Sequence, residues 1–186
     1  MNVPTTLDRR FRDAAVASGD VDVAYDLLDS PIGELLIAVS DAGLCRIGFD
    51  GEADLDGLAR SSGVRVLRAV RPVDRARREL AEYFEGSRRD FDLPIDLRPL
   101  PDFQRSVLEE LCRVRYGQVA TYGSLAARVG KPRAARAVGG ALNRNPIPIV
   151  VPCNRIVGST GSLVGYAGGL DRKRLLLELE RGITSL

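Results

Sequence analysis

Histidine is absent from all 186 residues. That one absence removes the commonest general base and the commonest zinc ligand together. It argues against a structural zinc site. Long apolar runs are missing too: no stretch approaches the roughly 20 unbroken apolar residues that a membrane-spanning helix needs. The N-terminal MNVPTTLDRRFRDAAVASGD has no apolar core of the kind a signal peptide carries, so export is not expected. Cysteine is scarce: Cys45, Cys112 and Cys153 make an odd number with no paired spacing. That argues against a disulfide framework and for a reducing compartment, the cytoplasm.

What is present is an ordinary globular composition, 45% hydrophobic, in a length that suits one compact unit or two small ones. The net charge of +2 hides an imbalance. Residues 1–98 hold 14 Arg against 19 Asp plus Glu, a balance of −5, while residues 99–186 hold 13 Lys plus Arg against 6 acids, a balance of +7. A basic half beside an acidic half suits a polyanion partner, and equally a merely solvated surface if charge is the sole observation.

Along the chain, residues 1–20 read as a tail. Val21–Leu28, Glu34–Ser40 and Leu44–Phe49 read as strands separated by turn signals at Ser30-Pro31-Ile32-Gly33 and Asp41-Ala42-Gly43, with Val64–Val70 a further candidate. Pro72 opens a helical pattern that Gly86 ends, and Leu93–Leu97 reads as extended. The pattern predicts an α/β domain over 21–98, a small, mostly antiparallel sheet with one helix, then Pro99-Leu100-Pro101 as a linker. Residues 99–186 read as a mainly helical domain. Asp102 is placed as the cap of a helix that buries Phe103, Val107, Leu108, Leu111 and Cys112. Thr121 caps a short helix, Tyr122–Val129, stopped by Gly130; another helix runs from about Arg133 to Leu142. Two short helices joined by a Gly-containing turn outline a winged-helix-like helix-turn-helix.

That second helix is crowded with small residues, Ala134, Ala135, Ala137, Gly139, Gly140 and Ala141, although each interior glycine costs roughly 1 kcal/mol against alanine. Such a face suits close approach to DNA or tight packing on another helix; the basic residues and the turn-helix context favour DNA. Beyond it, an apolar run ends in Pro152 and exits at Cys153-Asn154-Arg155. A lone cysteine is usually a small buried hydrophobe, which covers Cys45 and Cys112. Cys153 differs, because polar residues flank it where an extended segment turns.

These residues carry a resemblance. Pro152-Cys153-Asn154-Arg155, with Asn145-Pro-Ile-Pro upstream and Gly165-Tyr166-Ala167-Gly168-Gly169-Leu170 downstream, closely resembles the O6-alkylguanine-DNA alkyltransferases (methylated-DNA–protein-cysteine methyltransferases). Gly117-Gln-Val-Ala-Thr-Tyr122-Gly-Ser-Leu-Ala and Ala134-Ala-Arg136-Ala-Val-Gly-Gly-Ala extend the likeness over nearly all of residues 99–186, and Ser30-Pro-Ile-Gly-Glu-Leu-Leu continues it more weakly. The resemblance implies irreversible alkyl transfer from guanine O6 to Cys153, with O4-alkylthymine a further candidate substrate, by a monomer bound to double-stranded DNA and consumed in the act. It implies that Arg136 fills the gap left by the flipped nucleotide, with Thr121, Arg133, Ala135 and Gly139 beside it on the DNA. It also implies that Tyr122 reaches the guanine, that Asn145 braces the active-site turn and that Glu180 ends a proton relay. The substrate pocket then comprises Asn145, Arg155, Tyr166, Ala167 and Gly168.

One residue departs from the family pattern. Where histidine ordinarily follows the acceptor cysteine, this chain has Asn154, which can donate a hydrogen bond but cannot take a proton. Losing a general base typically costs about 10²–10⁴ in rate. Two expectations follow: Cys153 still reacts, its thiolate supported by the pocket, by Arg155 or by a helix end; or transfer has lapsed and the protein flags lesions for other repair factors, as alkyltransferase-like proteins do. Those proteins lack the acceptor cysteine, so its retention favours transfer. Ala167, where many relatives carry serine, removes a hydroxyl from the pocket lip.

Overall fold

The structure, a computed structural model, describes residues 12, 14–15, 18–59 and 64–183. Most of the tail expected over 1–20 lies outside them. The described chain divides into two compact units. Unit one comprises the described residues up to 81 with 92–96; unit two comprises 82–91 with the described residues from 97 onward. The two units therefore interleave in sequence, and 82–91, placed by pattern with the N-terminal domain, belongs to the second.

In the first unit β1 (Val23–Leu28), β2 (Leu35–Ser40) and β3 (Gly43–Gly48) form two hairpins. Gly33 and Gly43 supply the positive φ angles, 108° and 132°, that their turns need. β4 is confined to Val66–Arg68, shorter than the pattern suggested, and joins β1 in parallel, giving the order β3-β2-β1-β4. Ile95 bridges Leu44 where the chain was read as extended. A Cβ on Gly43 would stand 2.2 Å from the Pro94 carbonyl oxygen, so this bridge requires glycine. A 3-10 turn at Gly51–Asp54 runs into the short α1 (Leu55–Ala59), which the sequence did not signal. α2 (Val70–Phe84) starts two residues before Pro72, which occupies the first turn, where its missing N–H costs nothing. The helix buries Val73, Ala76, Leu80, Tyr83 and Phe84 at helical spacing.

The second unit is mainly helical: α3 (Asp102–Leu111), α4 (Tyr122–Arg128), α5 (Ala135–Asn143) and α6 (Leu170–Glu180), with β5 (Ala120–Thr121) and β6 (Ile156–Val157) paired in parallel. Asp102 is not the cap of α3; Pro101 holds that position, and Asp102 instead pairs with Arg105 at 3.1 Å within the first turn. Cys112 follows the end of α3 and is exposed rather than buried. Thr121 does cap α4: its Oγ1 accepts from Ser124 N at 3.1 Å while Ser124 Oγ accepts from Thr121 N at 3.0 Å. α4 ends with Gly130 at φ 73° and the paired bonds Lys131 N to Ala126 O and Gly130 N to Ala127 O. α5 begins at Ala135, not Arg133. Arg133 belongs to the turn, where Ala134 N donates to Lys131 O at 2.8 Å. Gln104 of α3 is buried and donates to Arg144 O at 2.8 Å, tying α3 to the end of α5. Among the described residues no helix is long and apolar enough to cross a membrane.

Candidate functional site

Between α5 and Cys153 the chain folds into a tight, buried loop that Asn145 organises. Its Oδ1 accepts from Ile147 N at 3.0 Å, and its Nδ2 donates to Val151 O at 2.8 Å and to Cys153 Sγ at 3.2 Å. Within the loop Ile149 is held at φ 75°, a region costly to a β-branched residue. The loop delivers Cys153 into a single 3-10 turn, Cys153–Arg155, which β6 follows. Because β6 pairs with β5, and Tyr122 follows β5 directly, the parallel bridge brings the tyrosine and the cysteine to one place.

That place is a cavity of about 460 Å³. Of the sequence candidates, Tyr122, Arg136, Gly139, Cys153, Tyr166 and Ala167 line it; Gly140, Leu142, Asn143, Val164 and Gly165, not singled out for this role, complete the wall. Cys153 is only 5% exposed. The Tyr122 hydroxyl donates to Val164 O at 3.1 Å, with Gly165 O at 3.4 Å. Arg136 and Arg133 are exposed, Ala135 and Thr121 half-buried.

Three residues assigned to the pocket do not line it. Asn145 lies behind the sulfur, spent on the loop. The Gly168 carbonyl is occupied by Arg172 Nη1 at 3.3 Å. Arg155 is drawn into a buried pair with Glu180, Nε to Oε2 at 2.8 Å, while its Nη1 donates to Val114 O at 2.6 Å. Arg155 is thus committed to Glu180 and is not a support for a Cys153 thiolate.

Glu180 anchors a buried cluster. Oε1 accepts from Asn154 Nδ2 at 2.9 Å and from the Tyr83 hydroxyl at 2.8 Å; Oε2 accepts from Arg155 and from Gly117 N at 3.2 Å. The Tyr116 ring meets Tyr83 edge-on and the Arg155 guanidinium at 5.8 Å. The Tyr83 hydroxyl and its Glu180 partner lie 97 positions apart in the chain.

Lys173 was missed altogether. It is fully buried, and its Nζ donates to Ile156 O, Val164 O and Gly165 O at 2.6, 2.8 and 3.1 Å. It thereby ties the segment after the cysteine to the loop that forms the cavity lip. The signal was available: Lys173, Leu176, Leu177 and Glu180 fall at i, i+3, i+4 and i+7, so both charged residues lie on the buried stripe of α6.

Burial pushes the Cys153 thiol up to about 11, against smaller lowering effects from Asn145, Lys173 and the backbone N–H groups of Cys153 and Asn154. Burial also raises the hydroxyls of Tyr122 and Tyr166, with Cys153 adding to both. Burial lowers Lys173 while Cys153 raises it. The arrangement is a recessed nucleophile with a phenol at its lip and an ammonium behind it.

Comparison with known proteins gives a consistent picture. Residues 102–182 match the family described as 6-O-methylguanine DNA methyltransferase, DNA binding domain, and residues 23–97 match its ribonuclease-like domain. A methylated-DNA–protein-cysteine methyltransferase of Methanosarcina barkeri is 44% identical over 157 residues, covering 84% of this chain and 96% of its own. The protein of the same description from Bacillus subtilis, the constitutive one, is 37% identical over 84% of this chain and 94% of its own. Among solved structures, Mycobacterium tuberculosis OGT in complex with DNA superposes with a TM-score of 0.76 at 39% identity, over 86% of this chain and 94% of that one. The O6-methylguanine-DNA methyltransferase of Pyrococcus kodakaraensis gives 0.60 at 28%, over 85% and 98%.

Proposed function

The chain belongs to the 6-O-methylguanine DNA methyltransferase family, and from that premise we propose that Cys153 is the acceptor in direct repair of O6-alkylguanine in double-stranded DNA. The observation that carries the assignment is the position of Cys153, a residue 5% exposed that lines the 460 Å³ cavity together with Tyr122 and Arg136. An alkyl group on guanine O6 inside a duplex cannot reach such a sulfur, so the nucleotide must leave the stack and enter the cavity. Arg136, exposed at the mouth, then fills the gap. Exposed Arg128, Lys131, Arg133 and Arg144 provide phosphate contacts on the same unit.

The Cys153 thiolate attacks the alkyl carbon, the S–C bond forms and the C–O6 bond breaks. The guanine leaves with the bonding pair and takes up a proton, with the Tyr122 hydroxyl as its hydrogen-bond partner. Nothing regenerates the thiol, so each molecule acts once, without a cofactor and as a monomer. O4-alkylthymine presents the same chemistry. We place the protein in the cytoplasm, whose reducing conditions keep Cys153 a thiol. A purely lesion-flagging role is not favoured, because the acceptor cysteine is present and seated in the cavity.

The test is the mass of the Cys153 peptide after incubation with a duplex carrying one O6-methylguanine. A gain of one methyl group on that peptide, absent in Cys153→Ser, is expected. Binding with unchanged mass after prolonged incubation would instead select lesion flagging.

A further inference from the structure

The cluster behind Cys153 holds acidic, basic and amide groups, and the hydrogen bonding of each bears on where the thiol proton goes. Both oxygens of Glu180 already accept two hydrogen bonds, from Tyr83 and Asn154 on one and from Arg155 and Gly117 on the other. That fills the roughly four acceptor positions a carboxylate offers. The Asn154 amide is held with its nitrogen on Glu180, since turning it over would set oxygen against oxygen. Its Oδ1 is buried and takes no hydrogen bond from the described residues. An amide oxygen accepts hydrogen bonds but does not take protons. It is a fixed partial negative charge one residue from the sulfur.

The other groups facing Cys153 fare no better as bases. Lys173, from α6, has all three ammonium protons on carbonyls. Tyr122, from α4, and Tyr166, from the lip loop, are acids weakened by burial. Arg136, from α5, and Arg155, in the turn itself, are permanent cations. The chain has no histidine to place there.

We propose that Cys153 has no internal base among the described residues: the Asn154–Glu180 bracket is locked in hydrogen bonds of its own, and the thiol surrenders its proton to solvent hydroxide. Alkylation of Cys153 therefore accelerates about tenfold per pH unit from neutrality upward, in proportion to the thiolate formed. The corollary is a guarded nucleophile. A residue that can be used once is kept as thiol against stray electrophiles, and the cavity must supply, through orientation of the extruded base, the rate that a proton acceptor would have added. This inference refines the proposed transferase reading, on which it rests for its biological meaning, but its chemistry is measured without DNA.

The experiment is alkylation of the native protein by iodoacetamide between pH 6.5 and 9.5, with the modified Cys153 peptide followed by mass. The expected plot of log rate against pH is a straight line of unit slope with no inflection. In Asn154→His, which places a side chain titrating near neutrality beside the sulfur, an inflection near pH 7 and at least about a tenfold gain at that pH are expected. A plateau below about pH 8.5 in the native protein would overturn the proposal, whether or not the variant folds. Methyl transfer from the O6-methylguanine duplex is run over the same range. A straight iodoacetamide line with no methyl transfer at any pH would sink the transferase reading and leave the proton assignment standing.

Discussion

Lys173 shows at the scale of one residue what the sequence conceals. Cys153, Tyr122 and Asn145 could be picked out because ordered neighbours frame them, but the partners of Lys173 are three carbonyls, and carbonyls carry no residue identity. Arg155 illustrates the reverse error: its position beside the cysteine was legible, its commitment to Glu180 and Val114 O was not. Lys173 also has two separable effects, tethering the lip loop and favouring the thiolate by its charge. Lys173→Met keeps most of the stem and removes the ammonium, leaving three carbonyl acceptors short of a donor. A loss of about 2–4 kcal/mol is expected in urea unfolding. The iodoacetamide rate at Cys153 should also fall severalfold at fixed pH, because the thiol rises once a neighbouring cation is gone. Lost stability with an unchanged Cys153 rate would leave Lys173 a tether and nothing more.

Among the elements, α5 answers a question that its sequence left open. Its small residues suited either packing within the protein or approach by DNA. A Cβ on Gly139 would meet Tyr122 ring carbons at 3.7 and 3.8 Å, and one on Gly140 would meet only Arg144 Nη1 at 3.7 Å. These are ordinary contacts, so the protein's own packing does not demand either glycine, and both cost helix stability. Gly139→Ala is therefore expected to raise stability by about 0.5–1 kcal/mol in urea unfolding while weakening binding to duplex DNA in a fluorescence titration. Unimpaired binding would show that this face does not meet the duplex. Elements framed by turn glycines or a capping residue, such as the β1–β3 hairpins and α4, were legible. The stretch Gly51–Ala59 was not, because two glycines and scattered acids mask its period. The start of α5 was misjudged because Ala134, its capping residue, has no side chain to announce it.

At the scale of the whole chain the sequence foretold two domains and a charge divided between them, −5 and +7. It did not foretell that 82–91 would leave the first unit, because that assignment depends on long-range contacts such as Tyr83 with Glu180. The absence of histidine has a further consequence here, since it removes the side chain that most often governs stability near neutrality. Apart from Asp22, whose carboxyl the Arg65 hydrogen bond holds down, the groups moved by folding titrate at alkaline pH. Burial pushes the thiols of Cys45 and Cys153 up to about 11 from 9.0, and raises the Tyr83 and Tyr166 hydroxyls well above 10.0. Each is an acid that keeps its proton longer when folded. Between the unfolded and folded values the native state binds more protons than the unfolded one, so stability falls as pH rises. Each such proton steepens the decline by about 1.4 kcal/mol per pH unit. Lys173 opposes it: its folded value is lowered, so over its own range the native state binds fewer protons and gains stability with pH. Burial raises Cys112, Tyr116 and Tyr122 in the same direction, so the raised acids outweigh the one lowered base; urea midpoints should hold nearly level from pH 7 to 8.5, then drop steeply between about 9 and 11. Replacing Cys45 with valine removes one of those protons and should flatten the drop. A midpoint that stays level to pH 11, or a variant with an unaltered slope, would mean that these groups ionise as readily in the folded protein as in the unfolded chain.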